Sequence, residues 1–290
     1  MTDLHLSDGR ILEYRSAGPD DGPVLLVHYG TPSAAVPFEP MIATAVRFGL
    51  RFVATSRPGY AGSSPQPGRR VASVVDDTAE LLDELGAERF VTVGWSGGGP
   101  HALACAALMP GRCRAAASVA GVAPHDAEGL DWPAGMGADN IEEFGAARAG
   151  EAQLARYLGG QAEVLAVVRA EQIAAALGDL VSDVDLRALT PELAEYLAAS
   201  FRAAVSTGIA GWRDDDLAFV KDWGFDPAAI ETPVSLWQGT EDRMVPADHG
   251  RWLARRMPAA TAHVLPSEGH LSLVANDFDD IVGELAAHLD

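Results

Sequence analysis

Phe90-Val91-Thr92-Val93-Gly94-Trp95-Ser96-Gly97-Gly98-Gly99-Pro100 decides how this chain is read. Its first residues are aromatic or β-branched and predict a strand. Gly94-x-Ser96-x-Gly98 predicts a sharp turn, and His101-Ala102-Leu103-Ala104-Cys105-Ala106-Ala107-Leu108-Met109 predicts a helix. A serine at the apex of such a turn sits in a strained backbone position, which only small neighbours at Gly94 and Gly98 relieve. The turn lifts the Ser96 hydroxyl above the sheet, and the Gly97 N–H points the same way from the start of the helix. An anion forming beside that serine meets a backbone donor and the positive end of a helix dipole. The pentapeptide alone recurs by chance, and it is the strand before it and the helix after it that make it specific.

With 290 residues, 48% hydrophobic and 21% charged, the composition fits one large soluble domain with room for an insertion. The net charge of −20, from 41 acidic against 21 basic residues, argues against nucleic-acid or anionic-membrane partners. A small-molecule substrate is the expected partner, and a homodimer is left open. Lys221 is the only lysine. Cys105 and Cys113 offer neither a disulfide framework nor metal-ligand spacing, so both are expected to be small buried residues, the second in a turn. The N-terminus has no basic and apolar regions of a signal peptide, and no apolar run reaches membrane-spanning length, so a cytoplasmic location is expected.

Working outward, Leu4-His5-Leu6, Ser7-Asp8-Gly9 and Arg10 to Arg15 read as a hairpin. Val24 to His28 is a continuous apolar run of the kind found in strands buried on both faces. Helix is predicted around Phe38 to Phe48 and over Val71 to Leu85, with a strand over Arg51 to Thr55 between them. Arg114 to Val119 reads as the next strand. From Gly121 to Ile230 the pattern turns to Ala-rich helical segments without a convincing strand. Alternation then resumes: strand Pro233 to Gln238, helix Asp248 to Met257, strand Thr261 to Leu265, helix Leu271 to Leu289. This predicts an α/β protein with a mostly parallel central sheet flanked by helices. Residues 1–120 and 231–290 form the core, and 121–230 an inserted helical cap.

A serine nucleophile needs a base, and the base an orienting acid. Two loops that follow strands supply them: Gly239-Thr240-Glu241-Asp242 and Glu268-Gly269-His270. Loops at the carboxyl ends of parallel strands gather on one edge, so topology brings Ser96, Asp242 and His270 together. Glu241 and Asp126 are alternative acids. His101, His249 and His263 fall in predicted helices or strands and are read as surface or packing residues. The run Asp214-Asp215-Asp216 lacks calcium-loop spacing and is read as a solvated turn. Tyr29, Trp95 and His125 are candidate substrate contacts.

The chain resembles the α/β-hydrolase fold superfamily over its whole length apart from the cap. The matching pieces are His28-Tyr29-Gly30-Thr31-Pro32, Arg57-Pro58-Gly59-Tyr60-Ala61-Gly62-Ser63, the Ser96 elbow, Gly239-x-x-Asp242-x-x-Val245-Pro246 and Gly269-His270. The resemblance implies Ser96 as nucleophile, His270 as general base and acid, and Asp242 as the acid that fixes the imidazole. It implies an oxyanion hole from Gly97 N–H and a second amide after Val27. Tyr29 intervenes where many relatives carry His-Gly, so the second donor is Thr31 or, alternatively, Gly30. The expected activity is cleavage of a carboxylic ester or related acyl compound, with no metal or organic cofactor. A proline-type aminopeptidase, a C–C bond hydrolase, an acyltransferase and a non-catalytic ligand-binding protein stand as alternatives. Of these the aminopeptidase needs an acid in the cap, from Glu142, Glu143 or Glu195. A serine at the elbow argues against haloalkane dehalogenase and epoxide hydrolase chemistry, whose enzymes carry aspartate there.

Overall fold

A computed structural model describes residues 1–289. The chain opens with the hairpin of β1 (Thr2–His5) and β2 (Ile11–Ala17), followed by β3 (Val24–His28), α1 (Glu39–Arg47), β4 (Arg51–Thr55) and α2 (Val74–Glu84). Then come β5 (Phe90–Trp95), α3 (Gly99–Leu108) and β6 (Cys113–Val119). Helices fill the next stretch: α4 (Ala138–Ala149), α5 (Glu151–Leu165), α6 (Ile173–Leu177), α7 (Asp183–Ala188), α8 (Pro191–Ala204) and α9 (Ala210–Phe219). The chain returns to the sheet with β7 (Val234–Gly239), α10 (Ala247–Arg256), β8 (Thr261–Leu265) and α11 (Ser272–Ala286).

The strands form one 8-stranded sheet in the order β1-β2-β4-β3-β5-β6-β7-β8. Pairing is antiparallel at β1/β2 and β2/β4 and parallel from β4 to β8. Every residue of β3, β5 and β7 is buried, as continuous apolar runs require when helices cover both faces. Successive side chains alternate between the faces. Leu25 joins Met41 of α1 and Ile281 of α11 on one side, while Leu26 joins Leu81 of α2 and Leu103 of α3 on the other. Cys105 and Cys113 are both buried, but Cys113 opens β6 and does not lie in a turn.

The helical stretch between β6 and β7 packs on the core through α8 and α9, among other contacts. Leu193 and Leu197 of α8 continue the core cluster that contains Phe38. Trp212 of α9 packs with Leu154 and Leu158 of α5 around Tyr60, which comes from the core loop after β4. At this second contact two glycines allow the backbones to meet. Gly211 N–H donates to Gly59 C=O at 3.1 Å, and a Cβ at Gly211 would lie 2.6 Å from the Tyr60 ring.

The same contact corrects one sequence expectation. Asp214, Asp215 and Asp216 do not form a solvated turn: they lie within α9 and all three are buried. A run of charges reads as a solvent face when its distant partners are invisible, and those of Asp215 are arginines some 150 residues upstream.

Gly211→Val should drive a side chain into Tyr60 and weaken the seam between α9 and the core. Overpacking of this kind typically costs about 1–3 kcal/mol, visible as a lower urea midpoint. An unchanged midpoint would count against this contact.

Candidate active site

The carboxyl ends of the parallel strands surround one cavity, lined by Gly30, Thr31, Trp95, Ser96, Gly97 and His270 among others. Ser96 follows β5 directly and has φ +57°, the left-handed position that the elbow reading requires. The glycines around it are there for space. A Cβ at Gly94 would strike Gly98 C=O, and one at Gly98 would strike His28 C=O. The strand, turn and helix therefore close on each other only without side chains at these positions.

His270 enters from the loop after β8. Its Nδ1 donates to Asp242 Oδ2 at 2.8 Å, and both side chains are buried. Asp242 is held in turn by the loop after β7. Its Oδ1 accepts from Met244 N–H and Val245 N–H, each at 2.8 Å, and Gln238 Nε2 lies 3.3 Å from Oδ2. With Nδ1–H committed to a carboxylate, Nε2 is left as the acceptor. Burial disfavours a charge on His270, but the Asp242 carboxylate beside it outweighs burial and raises the imidazole pKa above its ordinary value. Burial also raises the Asp242 carboxyl, against the pull of His270 and the Val245 amide. Trp95 Nε1 donates to His270 C=O at 3.1 Å, so the residue before Ser96 also holds the histidine loop. Among the described residues, Ser96 Oγ makes no hydrogen bond to the ring.

The loop after β3 passes over the serine. A Cβ at Gly30 would lie 3.3 Å from Ser96 Cβ, and one at Gly97 would meet Thr31 Oγ1 and stand 3.1 Å from Phe219 Cζ. Both Gly30 and Thr31 thus border the serine beside Gly97.

This loop has a support that sequence reasoning missed. Arg57 Nη1 donates to Tyr29 C=O at 2.5 Å, and its Nη2 donates to Gly30 C=O at 2.8 Å and Thr31 Oγ1 at 2.9 Å. The guanidinium is itself paired with Asp215 of α9 at 2.7 Å. Asp215 also accepts from Arg69 at 2.9 Å, Tyr60 Oη at 2.9 Å and Thr31 Oγ1 at 3.0 Å. Burial works against its charge, yet the two arginines hold its carboxyl well below the usual carboxylate range. His101, expected to pack, is buried with its Nε2 3.6 Å from the same carboxylate. The arginine was visible in the quoted Arg57-Pro58-Gly59 motif; its partner was hidden in the acidic run.

A second support comes from α7. Asp185 Oδ1 accepts from Leu271 N–H at 2.7 Å and Ser272 N–H at 3.0 Å, capping α11 immediately after His270. The Ser182-x-x-Asp185 capping box was legible in sequence, but its reach across 86 residues was not.

Trp95 lines the cavity, while the other two candidate substrate contacts do not. Tyr29 follows β3 with its ring in the core, 5.8 Å from Tyr196, and is 1% exposed. His125 lies against Trp132 at 5.4 Å, outside the cavity. Asp126 borders a separate surface groove with Trp252, far from any role beside His270. Of the cap acids, Glu143 lines the cavity, whereas Glu142 and Glu195 are exposed. Phe144, Leu197, Phe201 and Phe219 give the cavity an apolar wall. Among the described residues, no group of His, Cys, Asp or Glu is arranged to hold a metal ion.

A family model described as the alpha/beta hydrolase fold matches residues 23–277, most of the chain. The chain belongs to that family. As an alpha/beta hydrolase fold protein it is 32% identical over 152 residues to a non-heme chloroperoxidase from Streptomyces lividans, covering 51% of this chain and 55% of that relative. The match thus spans about half the length of that curated relative, and still less of the next ones. A hydrolase from Pseudomonas aeruginosa superposes with TM-score 0.72 at 24% identity, over 98% of this chain and 97% of the other. The enol-lactonase from Burkholderia xenovorans also superposes with TM-score 0.72, at 18% identity, over 99% and 100%. At such identities the superpositions establish the fold alone.

Asp185→Ala should leave two buried amides at the start of α11 without an acceptor. The expected loss is about 1–3 kcal/mol, read as a lower urea midpoint. A midpoint equal to wild type would remove Asp185 as a support of the His270 loop.

Proposed function

We propose that this protein is a serine hydrolase that cleaves a small carboxylic ester or related acyl compound through Ser96, His270 and Asp242. The observation that carries the reading is the buried His270–Asp242 hydrogen bond of 2.8 Å bordering the same cavity as a serine held at φ +57°. In the first step Ser96 Oγ attacks the carbonyl carbon while its proton passes to His270 Nε2. Asp242, accepting from Nδ1–H, stabilises the imidazolium that forms. The carbonyl oxygen becomes an oxyanion that accepts from Gly97 N–H and Thr31 N–H in this reading, with Gly30 N–H as the alternative second donor. Collapse returns the proton to the leaving alcohol and leaves an acyl-serine. Water then attacks with His270 again as base, releasing the acid and restoring the serine.

The apolar wall of Phe144, Leu197, Phe201 and Phe219 favours burial of a hydrocarbon part of the substrate. The enol-lactonase among the structural neighbours is consistent with an ester-type bond but is a likeness of fold. Trp95 is the substrate-facing residue of this reading; Tyr29 and His125 are not used. The helices from α4 to α9 act as a cap that closes the cavity away from water.

A fluorophosphonate probe should label the wild type covalently and leave Ser96→Ala unlabelled. Hydrolysis of p-nitrophenyl esters by that variant should fall roughly 10⁴-fold or more. A well-folded wild type that neither labels nor hydrolyses would sink the reading in favour of a binding protein. Because only neutral imidazole accepts the serine proton, kcat/KM should fall on acidification. The raised pKa of His270 puts the midpoint above the ordinary imidazole value of about 6.5. A pH–rate profile flat through this region would contradict His270 as the base.

A further inference from the structure

The cavity has a second pole that ester cleavage leaves unused. Asp216 and Phe219 stand three residues apart on α9 and both line the cavity. Side chains at this spacing share a helix face and are displaced by about 4.5 Å along the axis. Phe219 abuts Gly97, so Asp216 lies about one turn from the oxyanion corner. It is fully buried, yet neither of its oxygens receives a hydrogen bond from a protein donor.

Its neighbour is Glu143 of α4, which faces the same space. Glu143 Oε1 accepts from Trp212 Nε1 at 2.7 Å, which fixes the carboxyl in position. Burial raises both groups, Glu143 to about 7 and Asp216 well above the carboxylate range, with the charge of Glu143 adding to the second shift. The surroundings offer little compensation. Asp139 adds repulsion at Glu143, and Asp215 adds repulsion at Asp216, while Arg69 pulls Asp216 down and is already bound to Asp215. Tyr157 of α5, also at the cavity, has its hydroxyl on Asp139 C=O at 3.1 Å. Asp216 has no donor outside this pair, and a fully buried carboxyl in that state is costly unless something supplies one.

We propose that Glu143 and Asp216 form a subsite for an ammonium group carried by the substrate, opposite the apolar wall. This deepens the serine-hydrolase reading and rests on it for the reaction, though not for the binding. An ammonium brings the donor that Asp216 lacks and a positive charge that favours the ionised forms of both carboxyls. The net charge of −20 draws cations toward the protein and repels anionic substrates. The substrate class is therefore an ester or acyl compound with an amine on its acyl or alcohol part.

The test uses n-hexylammonium and its neutral isostere 1-hexanol, titrated by calorimetry into Ser96→Ala protein so that turnover plays no part. The ammonium should bind about tenfold or more tightly than the alcohol, the effect of a hydrogen bond between charged groups. The preference should vanish in Asp216→Asn and in Glu143→Gln on the same background, with thermal unfolding reporting that each variant is folded. Affinity for hexylammonium should also rise as pH passes upward through about 7, the range in which Glu143 ionises. Equal binding of the two ligands, or a preference that survives both substitutions, overturns the subsite. Fluorophosphonate labelling of the wild type separates the two readings. Labelling without ammonium preference overturns the subsite alone, and ammonium preference without labelling supports the subsite while removing the serine chemistry.

Discussion

One buried carboxylate, Asp215, connects the parts of this molecule that its chemistry requires. It sits on a helix of the insertion, yet its partners Arg57, Arg69, Tyr60 and Thr31 belong to loops of the core. Through Arg57 it reaches the carbonyls of Tyr29 and Gly30, the loop that passes over Ser96. Buried ion pairs rarely add much net stability, because desolvation offsets the attraction. Their effect is to specify one arrangement, and removing one partner strands the others. Here that arrangement is the position of two backbone amides relative to a serine hydroxyl.

The helices between β6 and β7 support the candidate site at two loops. Asp215 of α9 holds the loop at the oxyanion corner, and Asp185 of α7 holds the start of α11, next to His270. Two acids from one helical region thus hold the two loops that border Ser96 and carry His270. Asp216, adjacent to Asp215, turns the other way and meets the cavity with no protein donor. Neighbouring aspartates on one helix therefore have opposite environments. One is saturated with donors and held ionised, and the other has none and is pushed toward its neutral form.

Much of this was legible in the sequence, and the boundary of legibility has a physical cause. The elbow, the apolar run of β3 and the β/α alternation are local patterns, and their consequences for the sheet follow from side-chain period and crossover rules. Ser96, Asp242 and His270 could be brought to one edge because topology places strand ends without needing side-chain contacts. What stayed hidden depended on long-range pairing. The acidic run read as solvated because the arginines that bind Asp215, Arg57 and Arg69, lie far from it in sequence. Asp185 carried no signal of its contact with α11, because Leu271 and Ser272 lie 86 and 87 residues away. Tyr29, expected as a substrate contact, instead packs into the core beside Tyr196, which sequence position after β3 does not reveal. His125 failed for a related reason: proximity to the start of the insertion says nothing about which side of Trp132 it occupies.

The direct measurement of this account is amide hydrogen exchange on Asp215→Asn under native conditions. If Asp215 positions the loop over the serine through Arg57, exchange should quicken together at residues 29–33 and in α9. The amides of β5, which are paired within the sheet, should keep their protection and show that the core is intact. Exchange at residues 29–33 equal to wild type would contradict the account, because the loop would then hold its position without the carboxylate.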